Sequence, residues 1–332
     1  KHVDFRWPIQ VLVANIINQV LFGYCYDFDD CKRLMEVSDT IQDHICDLRK
    51  SPLIFLCMSF PWLENVPLIG KGIVNRFKTR VEEVNDILRE DIATCLERHD
   101  PNGEPDCFMQ AYHRKVGTSP YFTKDQMVSV CLDFFVAGME TTSTTLRWAM
   151  LYLADRQDVQ ERMRKEIHSV IGKETLPSIV DKQRLTFTTA VITEVQRCAN
   201  LVTQNVLHRT LVDTHSEKHP IPADTLVMGQ IYSSMRDERR FPDPDAFRPE
   251  RYLKENGELN KELMDYVVPF SIGKRQCAGE GLARLELYIF LTGMIQRYRI
   301  LPPLDGSALE FESVANTLRL PKPQELQIEL VV

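Results

Sequence analysis

A thiol placed just before a predicted helix is the group in this chain best positioned to do chemistry. Cys277 lies in the segment Phe270-Ser271-Ile272-Gly273-Lys274-Arg275-Gln276-Cys277-Ala278-Gly279. The positive end of the helix that follows, with its free N–H groups, would stabilise a thiolate. Gly273 permits a tight turn, and Gly279 lets a flat ligand approach the backbone closely. Arg275 supplies a fixed charge and a planar fork suited to a carboxylate or phosphate. Phe270 offers an apolar wall. Such a loop could seat a large flat cofactor with a metal and carboxylate arms. On the residues alone, a small core cysteine in a turn is an equal or better reading.

A second group is Ala137-Gly138-Met139-Glu140-Thr141-Thr142, inside the most apolar helix predicted for the chain. A glycine there costs about 1 kcal/mol against alanine, and buried acids and hydroxyls are expensive unless paired. A local opening that admits water and a flat ligand would answer both. Ala137 and Thr141 share a face that Phe134 and Thr145 extend. The competing reading is a set of hydroxyls bonding back to the preceding turn. Elsewhere, Glu194 and Arg197 are three apart on a helix, close enough for an ion pair, which in isolation reads as a solvated surface pair.

The elements that must position these groups follow from periodicity and punctuation. Helices are predicted over Ile9–Phe22 (stopped by Gly23), Cys31–Leu48 and Ile73–Arg98 (closed by Asp100-Pro101-Asn102-Gly103). Another begins at the cap Thr123 and runs through Leu153. Val159–Ile171 and Phe187–Cys198 are shorter, and Gly279–Tyr298 is the last. Ser51–Gly72 reads as a loop with an apolar surface. His208–Val227 has a β-like pattern, and Phe241–Pro249, with three prolines, is irregular. The fold expected is mainly α with small β-sheets in one domain, residues 1–332.

Composition narrows the function classes. The chain is 44% hydrophobic and 26% charged with a formal net charge of -7, ordinary for a globular protein with a large core. Without a basic stripe, nucleic acid is a poor partner. Nine scattered cysteines without a C-x-x-C pair argue against zinc and fit a reduced compartment. No run approaches the roughly 20 apolar residues of a membrane helix, and no G-x-G-x-x-G follows a strand to hold a nicotinamide or flavin cofactor.

The loop Phe270–Gly279 resembles the haem-binding signature of the cytochrome P450 family, F-x-x-G-x-R-x-C-x-G, at all five specified positions. That resemblance implies that Cys277 is the axial thiolate ligand of haem b (iron protoporphyrin IX) and favours O–O cleavage. It implies that Arg275 meets a haem propionate while Gly273, Gly279 and Phe270 shape the loop. Ala137 to Thr142 is similar to the family's A/G-G-x-D/E-T-T/S stretch, which implies proton delivery by Glu140 and Thr141 and close approach of haem and substrate at Ala137 and Gly138. Glu194 and Arg197 match E-x-x-R, completed by Arg251 in a meander at Phe247–Tyr252; this triad is expected to be scaffold.

His208 is the expected second propionate partner. Val206, Leu207 and the turn Ala315–Thr317 are candidate substrate walls. The animal microsomal branch is the nearest likeness, with the front of the fold (its anchor, early helices and first sheet) missing. Such a truncated chain is expected to bind haem poorly, which equilibration with hemin tests. The implied activity is insertion of one atom of O2 into a small apolar substrate such as a xenobiotic, fatty acid or steroid. Electrons would come from an NADPH-dependent flavoprotein reductase. The expected location is the cytoplasmic face of the endoplasmic reticulum membrane, touched by the 52–70 loop. The rivals are an inactive or haem-binding-only remnant and a haem-thiolate isomerase or dehydratase. The Glu140-Thr141 pair speaks against the isomerase or dehydratase.

Overall fold

The computed structural model describes residues 1–40, 56–57, 60, 62–63, 66, 71–100, 103–314 and 318–331. Most of the 52–70 loop, the second half of the helix expected at Cys31–Leu48 and the Ala315–Thr317 turn lie outside them. Two compact units are distinguished, Arg6–Ser143 and Lys1–Phe5 with Thr144–Val332.

In the first unit, helix α1 (Arg6–Phe22) buries Ile9, Val13, Ile17 and Leu21, a spacing of four that makes one apolar stripe. It starts three residues earlier than its apolar pattern because Pro8 is tolerated in a first turn. It ends where Gly23 turns left-handed (φ 78°) and returns its N–H to the Gln19 carbonyl at 3.0 Å. Residues 32–40 are helical. Helix α2 (Lys71–Glu97) buries Val84, Leu88, Ile92 and Cys95. Helix α3 (Phe108–His113) was not anticipated, since six residues are too few for a period to show. Helix α4 (Lys124–Asp155) begins as expected: the Gln126 N–H donates to the Thr123 hydroxyl at 3.1 Å.

The second unit is built on helices α5 (Gln157–Val170), α6 (Thr186–Ala199) and α7 (Glu280–Arg297). Polar side chains fix their mutual placement. Glu166 on α5 accepts from the N–H groups of Phe187 at 2.8 Å and Thr188 at 2.7 Å, capping α6 from outside its own chain segment. Arg164 donates to the carbonyls of Ile295 at 3.0 Å and Tyr298 at 2.8 Å, where α7 ends.

Among the described residues three small antiparallel sheets complete the unit. One has the order β1 (His2–Val3), β7 (Leu326–Leu330), β6 (Tyr298–Leu301). The other two pair β2 (His208–Arg209) with β5 (Leu226–Val227) and β3 (Thr214–Ser216) with β4 (His219–Ile221). The content is mainly α with small sheets, as the sequence led one to expect.

Candidate functional site

The loop before α7 folds back on itself. Ser271 and Gly273 both take positive φ, 62° and 83°, and this reversal brings the two ends of the segment together. The Cys277 N–H donates to the Phe270 carbonyl at 2.9 Å, and the Gln276 N–H to the Gly273 carbonyl at 3.1 Å. Cys277 therefore stands two residues ahead of Gly279, which caps α7. Its thiol is exposed. A side chain on Gly279 would begin 3.9 Å from that sulfur, so glycine leaves the space beside it open. Phe270 is held beneath the Arg284 guanidinium at 5.0 Å, itself bonded to Glu280 at 2.8 Å. Arg275 projects exposed from the same loop.

Other cysteines sit differently. Cys31, Cys57, Cys95, Cys107, Cys131 and Cys198 are buried, and only Cys25 shares the exposure of Cys277 among the described residues. Burial pushes the Cys198 thiol up to about 12, so it rests in the protonated form.

On α4 the two neighbouring residues of the expected proton pair turn to different surroundings. The Thr141 hydroxyl donates back to the Ala137 carbonyl at 2.6 Å, on a side where Ala137 and Phe134 are exposed. The Ser143 hydroxyl does the same to Glu140 at 3.2 Å. Back-bonding of hydroxyls onto the helix is thus present as well. The Glu140 side chain is buried and accepts a hydrogen bond from the Gln10 amide on α1 at 3.0 Å, and the same amide donates to the Ser38 hydroxyl. Gln10 and Ser38 were missed by sequence reasoning, being 130 and 102 positions away. Thr145 is buried rather than part of an open face.

At Gly138 an added Cβ would lie 2.5 Å from Ile17 Cδ1 of α1, so glycine lets these two helices of one unit approach closely.

The acid on α6 accepts hydrogen bonds from four residues, Arg197, Arg248, Arg251 and Tyr252. Arg197 donates to both Glu194 oxygens, at 2.8 and 2.9 Å, and both side chains are completely buried. Arg251 adds a bond at 3.0 Å, the Tyr252 hydroxyl one at 2.9 Å and the Arg248 N–H one at 2.9 Å. The remaining guanidinium donors are met by carbonyls of the stretch just ahead of the meander: Met235, Pro244 and Ala246 for Arg197, and Pro242, Asp243 and Ala246 for Arg251. Burial alone would push the Glu194 carboxyl up, but the Arg197 hydrogen bonds and the two positive charges hold it below the usual carboxylate range. The pair expected from E-x-x-R and Arg251 are brought together. Tyr252 and Arg248 were not foreseen as members.

His208 is exposed on β2, opposite Val227. Its Nδ1 lies 2.7 Å from the Val206 carbonyl. A carbonyl only accepts, so Nδ1 donates in this contact. Val206 is exposed and Leu207 half-buried.

The cytochrome P450 family model matches residues 1–328. The chain belongs to the cytochrome P450 family. It is 34% identical over 324 residues to cytochrome P450 2H1 of Gallus gallus, covering 95% of this chain and 63% of that protein. To cytochrome P450 2J3 of Rattus norvegicus it is 34% identical over 308 residues, 91% of this chain and 59% of that one. Cytochrome P450 2C8 of Homo sapiens is 34% identical over 291 residues, 86% of this chain and 58% of that one. The chain therefore spans about three fifths of the length of these relatives.

A cytochrome P450 carries haem, and the chemistry of the donors here fits that group. Among the described residues no cluster of three or more His, Cys, Asp or Glu side chains could hold an ion unaided. An iron atom on the exposed Cys277 sulfur would need a macrocycle to complete its coordination, which haem provides. Among the described residues no helix is long and apolar enough to cross a membrane.

Proposed function

We propose that this P450 chain, residues 1–332 as one catalytic domain, holds haem b through Cys277 and works as a monooxygenase. The reading is carried by the exposed thiol at the end of the folded-back loop, beside the start of α7. Haem b, when bound, supplies iron chemistry that activates O2, with one oxygen atom entering the substrate and the other leaving as water. The chain's own residues prepare that chemistry. Cys277 offers a thiolate whose position is set by its N–H bond to Phe270 and whose charge is favoured by the helix N-terminus. Arg275 and His208, both exposed, offer donors for propionates, Arg275 through its fork.

Thr141 holds a proton at Oγ1, bonded to the Ala137 carbonyl. Glu140, fixed by Gln10, is the carboxyl from which that proton is replenished, which is general acid work. Ala137 presents a small exposed surface on the same helix, suited to an apolar substrate edge. The proposed substrates are small apolar organic molecules of the xenobiotic, fatty-acid or steroid kind. The proposed electron source is an NADPH-dependent flavoprotein reductase, and the proposed setting is the cytoplasmic face of the endoplasmic reticulum membrane.

The test is the absorption spectrum of the haem-loaded, reduced, carbon-monoxide-bound protein. A strongly red-shifted Soret band is expected and its disappearance in Cys277→Ala. Persistence of that band in the variant would remove Cys277 from the role.

A further inference from the structure

We propose that Cys95 and Cys107 form a covalent cross-linking site, converted to a disulfide by low-molecular-weight disulfides. Cys95 lies near the end of α2 and Cys107 immediately before α3. Their sulfurs are 3.2 Å apart in the interior of the first unit, where each serves as the other's hydrogen-bond partner. A disulfide needs about 2.05 Å, so closure asks for a movement of roughly 1 Å.

Sequence spacing does not suggest this pair, which is twelve apart with Asp-Pro-Asn-Gly in the sequence between. The hydrophobic pattern explains Cys95 as one member of the buried stripe of α2 and says nothing of Cys107. Two independent buried cysteines would be expected to meet apolar side chains; here they meet each other. Access is unequal. Cys95 is the deeper of the two, and burial, together with the neighbouring thiol, pushes its thiol up. Beside Cys107 stands Gly23, an exposed residue whose added Cβ would lie 3.5 Å from the Cys107 Cβ and 4.0 Å from its sulfur. The absent side chain leaves an approach from solvent to Cys107.

The chemistry balances as two exchanges. The Cys107 thiolate, its proton released to water, attacks one sulfur of a small disulfide such as oxidised glutathione. The small S–S bond breaks, a Cys107 mixed disulfide forms and one small thiolate leaves, taking up a proton. The Cys95 thiol then attacks the Cys107 sulfur, passing its proton to the departing small thiolate as it does so, and the Cys95–Cys107 bond forms while the second small thiol leaves. Two protein thiols are oxidised and one small disulfide is reduced to two thiols.

The experiment incubates the protein with oxidised glutathione, alkylates it under denaturing conditions, and digests it with trypsin without reduction. Cleavage after Arg89, Arg98 and Arg114 puts the two cysteines on separate peptides, 90–98 and 99–114. The expected result is one joined species of the two, reversed by dithiothreitol, with Cys131 and Cys198 still alkylated. Cys95→Ser should instead stop at a stable glutathione adduct on Cys107. The proposal is overturned if wild-type protein keeps both thiols alkylatable, or if it accumulates the Cys107 adduct without joining the peptides. Because the decisive readout is made on wild-type protein, a failure of the serine variant to fold leaves the test intact.

Discussion

The Glu194 cluster and the Cys277 loop belong to one unit and use the same kinds of polar group in opposite ways. Around Glu194 two arginines, a tyrosine and a backbone N–H converge on one carboxylate, and six bonds to carbonyls between Met235 and Ala246 take up the rest of the two guanidiniums. Nothing is left over to bind or react. Around Cys277 the backbone is paired and Asn205 donates to the Ser271 hydroxyl at 2.9 Å, while the thiol and Arg275 are exposed. A buried polar network that is fully satisfied rigidifies its surroundings, whereas capacity to hold a ligand requires groups left unsatisfied by the protein. Scaffold and chemistry are therefore distinguishable by hydrogen-bond accounting, even though both carry a recognisable motif.

That contrast is broken most directly at Arg197. Arg197→Leu strands the Glu194 charge with too few partners, and a loss of about 3–5 kcal/mol is expected from urea unfolding. An effect under about 1 kcal/mol would show that the cluster is not holding the meander. Tyr252→Phe removes one hydrogen bond to a charged acceptor and should cost roughly 1.5–3 kcal/mol by the same measurement.

Acid sharpens the comparison further. The Glu194 carboxyl is held below its ordinary value of 4.5, so its contribution is fully present above that pH and is lost as pH falls through the depressed value. Wild-type protein should lose its stability advantage over Glu194→Gln below about pH 4.5. A gap that stays constant down to pH 3 would show that the carboxyl is not depressed. The smallest effect on stability belongs to Cys277→Ala. An exposed substitution should change unfolding by no more than about 0.5 kcal/mol, while abolishing the red-shifted carbon-monoxide band. A large loss of stability there would make Cys277 a packing residue after all.

Legibility in the sequence followed distance along the chain. Helix α4 was readable because thirty residues of apolar pattern begin at a capping threonine; α3 was not, being six residues long. Cys277 was readable because its partners lie within ten residues. Tyr252 was hidden although it adjoins Arg251, since nothing local tells a tyrosine which way its hydroxyl points. The glycine at 138 was noticed as costly, but its close neighbour Ile17 is 121 positions away.

The sequence by itself determined the family, the long helices, the thiol at the mouth of α7 and the E-x-x-R pair, because capping, periodicity and short motifs act over a few residues. Only the tertiary structure decided that Gln10 secures Glu140, that Tyr252 completes the Glu194 cluster and that Cys95 meets Cys107. Each of these is a contact between side chains whose meeting depends on how whole helices pack. Packing is set by the summed burial of many residues, and no short window of sequence contains that sum.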